Sequence, residues 1–198
     1  MEENITVMEF APPPVDKSEI LRYARVREAT PEILALLEEC LLEAQDVFTY
    51  KVVYRTFPMS CDRYRLSLGF GEYESEYLSH GIGTCTRIMP FVATVGQGID
   101  FLIKRYEVLS PAKAHMLDAI GSERVESLCD AFCAYVEKIE NEKDNRTRPR
   151  VSPGYGDIPF EMQKDIFAVL DCQRKIGIAL GARYLMTPRK SVAAAIGM

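Results

Sequence analysis

The sequence predicts an α+β fold, a mixed or antiparallel twisted sheet covered by helices, and three observations carry that expectation. Segments rich in Val, Tyr, Phe, Thr and Leu fall in the middle of the chain, at 48–57, 64–70 and 85–95. Apolar residues recur at helical spacing on either side of them, most clearly at 30–46 and 122–139. Strands and helices do not alternate as regular βαβ units, which argues against a doubly wound parallel sheet.

The elements follow in chain order. Residues 1–16 read as an N-terminal arm, because Pro12, Pro13 and Pro14 stiffen the chain and cannot continue a helix. Such an arm packs on the body or exchanges between chains. Residues 17–198 are enough for one core and read as a single domain. A short helix is expected at 18–26. Thr30 is a good N-cap and Pro31 suits the first helical position, and Ile33, Leu37, Cys40, Leu41 and Ala44 then share one face, with an end near Asp46.

Strands are expected at 48–57 and 64–70, with Pro58 to Asp62 as the turn between them. The segment 73–81 is ambiguous, with a short helix as one reading. Residues 85–95 read as a buried strand leading into a helix at about 97–107. Ser110-Pro111 repeats the cap-then-proline signal, and Gly121 marks a break or a tight contact. From Ser122, the residues Val125, Leu128, Phe132, Val136 and Ile139 form one apolar stripe, with Glu123, Asp130, Glu137 and Lys138 outside it. A polar exit and a loop at 146–158 follow. Pro159 then opens a helix whose inner face is Met162, Ile166, Val169 and Leu170. Tyr184 to Thr187 and Ser191 to Ile196, joined at Pro188-Arg189, suggest a terminal β-hairpin.

Composition narrows the function. A net charge of −5 argues against a nucleic-acid binder, which needs a basic face, and against a protein held on anionic lipid. The start carries no basic segment before a hydrophobic run, and no stretch of about 18 apolar residues occurs, so a cytoplasmic protein is expected. The six cysteines are scattered and form no CxxC. Cys129 and Cys133 share a helix face and read as core residues or as a metal or redox pair; His80 and His115 are too isolated to complete a zinc site. A cysteine nucleophile would need a histidine beside it, and a strand start separates His80 from Cys85.

The segment with the most chemical content runs Arg150-Val151-Ser152-Pro153-Gly154-Tyr155-Gly156-Asp157-Ile158-Pro159. Gly154 and Gly156 open backbone conformations closed to other residues and let a ligand approach the main chain. Arg150 offers a planar fork matched to a carboxylate. Tyr155 can stack on a flat ring or lie beside a sulfonium. These groups suit an amino acid joined to a nucleoside. By itself the pattern fits a plain turn as well as a ligand loop, and spacing does not identify the ligand.

Residues 150–198 resemble the activation domain of cobalamin-dependent methionine synthase. The shared pattern is the Arg-x-x-x-Gly-Tyr loop, Pro159, Lys164, Gly177-Ile178 and the terminal Met186-Thr187-Pro188 with Ser191-Val192. Asp130 to Glu137 is similar to the family's helix before the loop, and residues 1–109 look like its short stand-alone relatives. The resemblance implies an S-adenosylmethionine site in which Arg150 binds the methionine carboxylate. Pro153, Gly154 and Tyr155 would line the adenosyl and methyl-donor side, and Glu137 would hold the amino group. It further implies cobalamin carried by a partner, a corrinoid-binding methionine synthase or methyltransferase, and a flavodoxin-type electron donor. The chain would then be a reactivation subunit supporting reductive methylation of cob(II)alamin. The alternative is a non-enzymatic S-adenosylmethionine-binding or regulatory module. Two departures from the family stand out: Ile196 occupies the place of an aromatic, and an N-terminal acidic contact has no counterpart. No Asp-x-His-x-x-Gly cobalt-ligating run is present.

Overall fold

A computed structural model describes residues 4–198. Its main sheet holds β1 (Thr6–Glu9), β2 (Lys51–Tyr54), β3 (Phe57–Pro58), β7 (Arg87–Thr94) and β10 (Ser191–Gly197), in the order β1-β2-β7-β10 with β3 also on β7. Every pairing is antiparallel. A second sheet is the meander of β4 (Ser60–Asp62), β5 (Arg65–Ser67) and β6 (Glu72–Glu74), and β8 (Ala179–Leu180) pairs with β9 (Met186–Thr187). The helices are α1 (Lys17–Tyr23), α2 (Pro31–Ala44), α3 (Glu76–Ile82), α4 (Gly98–Leu109), α5 (Pro111–Asn141), α6 (Glu161–Leu170) and α7 (Cys172–Ile176). The fold is therefore α+β with antiparallel sheets, and no helix among the described residues is long and apolar enough to cross a membrane.

Strand β7 lies in the middle of the main sheet and is buried on both faces, so its side chains divide between two cores by the period of two. Met89, Phe91 and Ala93 join α1, α2, α4 and α5 on one side; Ile88 and Val92 join α3, α6, α7 and the small sheet on the other. Phe132 of α5 closes the first core, with its ring 4.8 Å from that of Phe91 and 5.1 Å from that of Tyr54. Pro90 has no N–H to give the ladder. Opposite it the partner strand is interrupted: β2 ends at Tyr54, paired with Phe91, and β3 resumes at Phe57, paired with Ile88.

The N-terminal stretch, of which residues 1–3 lie outside the described residues, packs on the body: it contributes β1, paired with β2, and its proline run is strapped to α5 by Arg124, which donates to the carbonyls of Pro13 (2.6 Å) and Pro14 (2.7 Å). Other sequence expectations change. Pro58 to Asp62 is not a turn. It holds the end of β3 and all of β4, and the reversal falls at Arg63, where φ is 56°. Gly121 does not break its helix: α5 runs unbroken over 31 residues, and a Cβ at Gly121 would lie 2.9 Å from Cγ of Lys190. The glycine is a contact surface for the Lys190 stem, whose Nζ reaches Asp118 at 2.8 Å. Pro159 precedes rather than opens the next helix, which begins at Glu161. The terminal hairpin does not form. β9 turns back onto β8, while β10 is long and apolar enough to be taken into the main sheet beside β7.

Candidate functional site

The loop after α5 runs along the free edge of β10. Arg148 N–H donates to the Gly197 carbonyl (2.8 Å), and Val151 exchanges two hydrogen bonds with Ala195 (2.9 and 2.8 Å). The strand-like alternation buries Val151 and sends Arg150 to the other side, toward α5. There its Nη2 donates to Glu126 at 2.6 Å and to Asp130 at 3.3 Å. Glu126 and Asp130 are four apart, on one face of α5.

The chain then turns sharply. Tyr155 N–H donates to Ser152 O (3.2 Å), Gly154 N–H to Ile158 O (2.9 Å) and Ile158 N–H to Tyr155 O (2.9 Å), while Ile158 anchors the turn in the second core. Gly154 has φ of 83°, and a Cβ there would lie 2.4 Å from the Phe160 ring. Gly156 has φ of 56°, with the Tyr77 ring 2.9 Å from the place of its Cβ. Asp157 docks the turn on the N-terminus of α3. It accepts from Ser75 Oγ, from Glu76 N (2.8 Å) and from Tyr77 N (3.2 Å). The Ser75 hydroxyl, helped by those two N–H groups, holds the Asp157 carboxyl below the usual range against an opposing desolvation. This docking sets the Tyr77 and Tyr155 rings 6.2 Å apart.

Together these elements enclose a polar cavity of about 410 Å³, walled by Tyr23, Tyr77, Glu126, Arg150, Ser152 and Tyr155 among others. Burial and the nearby Glu126 carboxylate push the Tyr23 hydroxyl up, keeping it a neutral donor. One guanidinium with two carboxylates leaves the Arg150 cluster one net negative charge.

Of the residues expected at a site, Arg150 and Tyr155 face this cavity. Pro153 and Gly154 are not among its lining residues; they shape the turn that presents Tyr155. Glu137 does not line this cavity. It is exposed and borders a second cavity of about 250 Å³ with Cys133, Arg148, Arg150 and Ile196. Arg150 is thus the wall between the two, and the carboxylate on its cavity side is Glu126. Sequence reading missed Glu126, Tyr77 and Tyr23. The available signal for Glu126 was its spacing from Asp130 on the polar face of the helix that precedes the arginine loop.

All six cysteines are free, and burial pushes the Cys133 thiol up to about 11 and raises Cys129 and Cys85 as well, so these three are not thiolates near neutral pH. No group of three His, Cys, Asp or Glu among the described residues is placed to hold a metal ion.

Comparison with known proteins gives one kind of result. No protein-family profile matches the sequence, and no curated protein does. Among solved structures, the crystal structure of the MetH reactivation domain bound to AdoHcy superposes with a TM-score of 0.71 at 15% identity, covering 99% of this chain and 78% of that one. Over nearly its whole length, this chain has the fold of the MetH reactivation domain.

Proposed function

We propose that the Arg150 cavity binds S-adenosylmethionine and that the chain serves as a separate reactivation subunit for a cobalamin-dependent methionine synthase or a related corrinoid methyltransferase. The observation that carries this reading is the meeting of Arg150, Glu126 and Tyr155 in one cavity, on a fold whose solved counterpart holds AdoHcy. Both hydrogen bonds of Arg150 run through Nη2, so the N–H groups of Nε and Nη1 are left to donate to a carboxylate. Glu126 offers an acceptor for an ammonium. The Tyr155 and Tyr77 faces suit a purine ring or a sulfonium. S-adenosylmethionine has two cationic groups and one carboxylate, and its net positive charge complements the net negative charge of the cluster.

In this reading the ligand supplies the methyl group and the chain supplies position. The cavity groups orient the donor, and no general acid or base is asked of them. Cobalamin is carried by the partner, and the electron comes from a flavodoxin-type donor. The second reading is a non-enzymatic binding or regulatory module. It draws on Ile196, which is 2% exposed and packs into the first core, where the family resemblance calls for an aromatic.

Titration calorimetry with S-adenosylmethionine, beside Arg150→Ala and beside S-adenosylhomocysteine, is the test. Binding that is lost in the variant and weaker for the homocysteine ligand, which lacks the sulfonium charge, supports the site. Equal binding by wild type and variant sinks it. Methyl transfer to a corrinoid protein, present or absent, separates the two readings.

A further inference from the structure

We infer that the chain has a second small-molecule site, for a phosphate-class dianion, where Arg55, Arg87 and Lys143 converge beside the C-terminal end of α5. The site originates in the interruption opposite Pro90. Arg55 occupies the gap between β2 and β3, and its backbone N–H reaches Pro90 O at only 3.4 Å. Freed from a regular ladder, its guanidinium lies over the Phe57 ring at 4.7 Å. It borders a cavity of about 290 Å³ with Tyr54, Thr56, Arg87, Glu140 and Lys143. This cavity shares no lining residue with either cavity at Arg150.

Charge in this cavity is unbalanced. Glu140 is buried, and its two oxygens are taken by Arg87, by Lys143 at 3.0 Å and by Asn145 at 3.1 Å. Arg55 makes no ion pair among the described residues, and its Nε is buried without an acceptor. A buried guanidinium N–H without an acceptor is costly, and an arriving oxyanion supplies what is missing. Among the described lining residues, three cations against one carboxylate leave two net positive charges, which match a dianion better than a monocarboxylate. The carbonyls at the end of α5 would oppose an anion. Three of the last four are already hydrogen-bonded: Lys138 O accepts from Glu142 N–H, Glu140 O from Lys143 and Asn145 N–H, and Asn141 O from Asp144 N–H. Thr56 adds a hydroxyl, and Arg87 and Lys143 already stand at the rim with donors to share.

Calorimetric titration with inorganic phosphate, phenyl phosphate and acetate tests the site in the full chain. Saturable binding of a phosphate probe, roughly tenfold or more tighter than acetate, is expected. Arg55→Gln should weaken it roughly tenfold or more, and Lys143→Gln about two- to fivefold, while Arg150→Ala leaves it unchanged. Free phosphate as the stronger probe identifies the ion itself as ligand; phenyl phosphate as the stronger identifies an ester. Circular dichroism checks that Arg55→Gln is folded; if it is not, the half-exposed Lys143 decides the matter. Absence of saturable binding, acetate as tight as phosphate, or wild-type affinity in both variants overturns the proposal.

Discussion

Two arginines meet glutamates of the same helix, and they serve opposite ends. Arg124 and Glu123 are 3% and 2% exposed, and their hydrogen-bonding capacity is largely used. The guanidinium spans both Glu123 oxygens and the carbonyls of Pro13 and Pro14, while Glu123 also accepts from Asp16 N and Ser127 Oγ. Arg150 and Glu126 are 25% and 38% exposed, and the guanidinium engages through one nitrogen at the wall of a cavity. The lesson is that charge alone does not mark a binding site. A saturated pair welds chain segments together, whereas a pair with unspent donors facing open space can take a ligand.

The largest effect should come from breaking the saturated pair. Arg124→Ala leaves Glu123 buried and uncompensated, which costs about 3–5 kcal/mol. Chemical denaturation would read that loss, and a change under about 1 kcal/mol would show that the strap from Pro13 to Asp16 is not held by this pair. Arg150→Ala sharpens the contrast. Its stability cost should stay below about 1 kcal/mol, because the pair is half-open, whereas the affinity for S-adenosylmethionine should fall by about 1.5–3 kcal/mol.

The turn between the two regions gives an intermediate effect. Gly154→Ala places a Cβ on a backbone with positive φ and against the Phe160 ring. A destabilisation of about 1–3 kcal/mol is expected, together with weaker ligand binding as Tyr155 is displaced. Normal melting in this variant would mean that the turn has room the contacts do not suggest.

The smallest effect concerns acid. The folded Asp157 carboxyl is held below its ordinary value of 3.8 by Ser75 and the α3 N–H groups. A depressed folded pKa means that its contribution is present above the unfolded value and is lost as pH falls through the folded one. Asp157→Asn should therefore flatten the stability profile below about pH 4 and leave its shape near neutrality alone. An unchanged acid limb in denaturation at several pH values would remove Asp157 from the account.

How much was legible depended on whether the deciding forces were local. Thr30-Pro31 starts α2 because capping and a fixed φ act within one turn, and the Thr30 hydroxyl accepts from Ile33 N as expected. The loop at Arg150 was legible for the same reason, since glycine conformation and a guanidinium fork are properties of the residues themselves. Its partners were less so. Glu137 was the carboxylate expected from the resemblance, but where Arg150 points is set by the bridge from Val151 to Ala195, and that bridge directs it to Glu126.

The sequence by itself determined the class of fold, most element positions, the arginine–tyrosine loop and the absence of a long apolar span. Those features follow from periodicity, capping and backbone freedom, which act over a few residues. Tertiary structure alone decided that Thr6–Glu9 becomes an edge strand, that β10 leaves its hairpin for β7, and that Glu123 and Arg124 are buried together. It also decided which face of α5 meets Arg150. These outcomes turn on pairings across long stretches of chain, where the gain depends on which surfaces meet, and no local pattern records that.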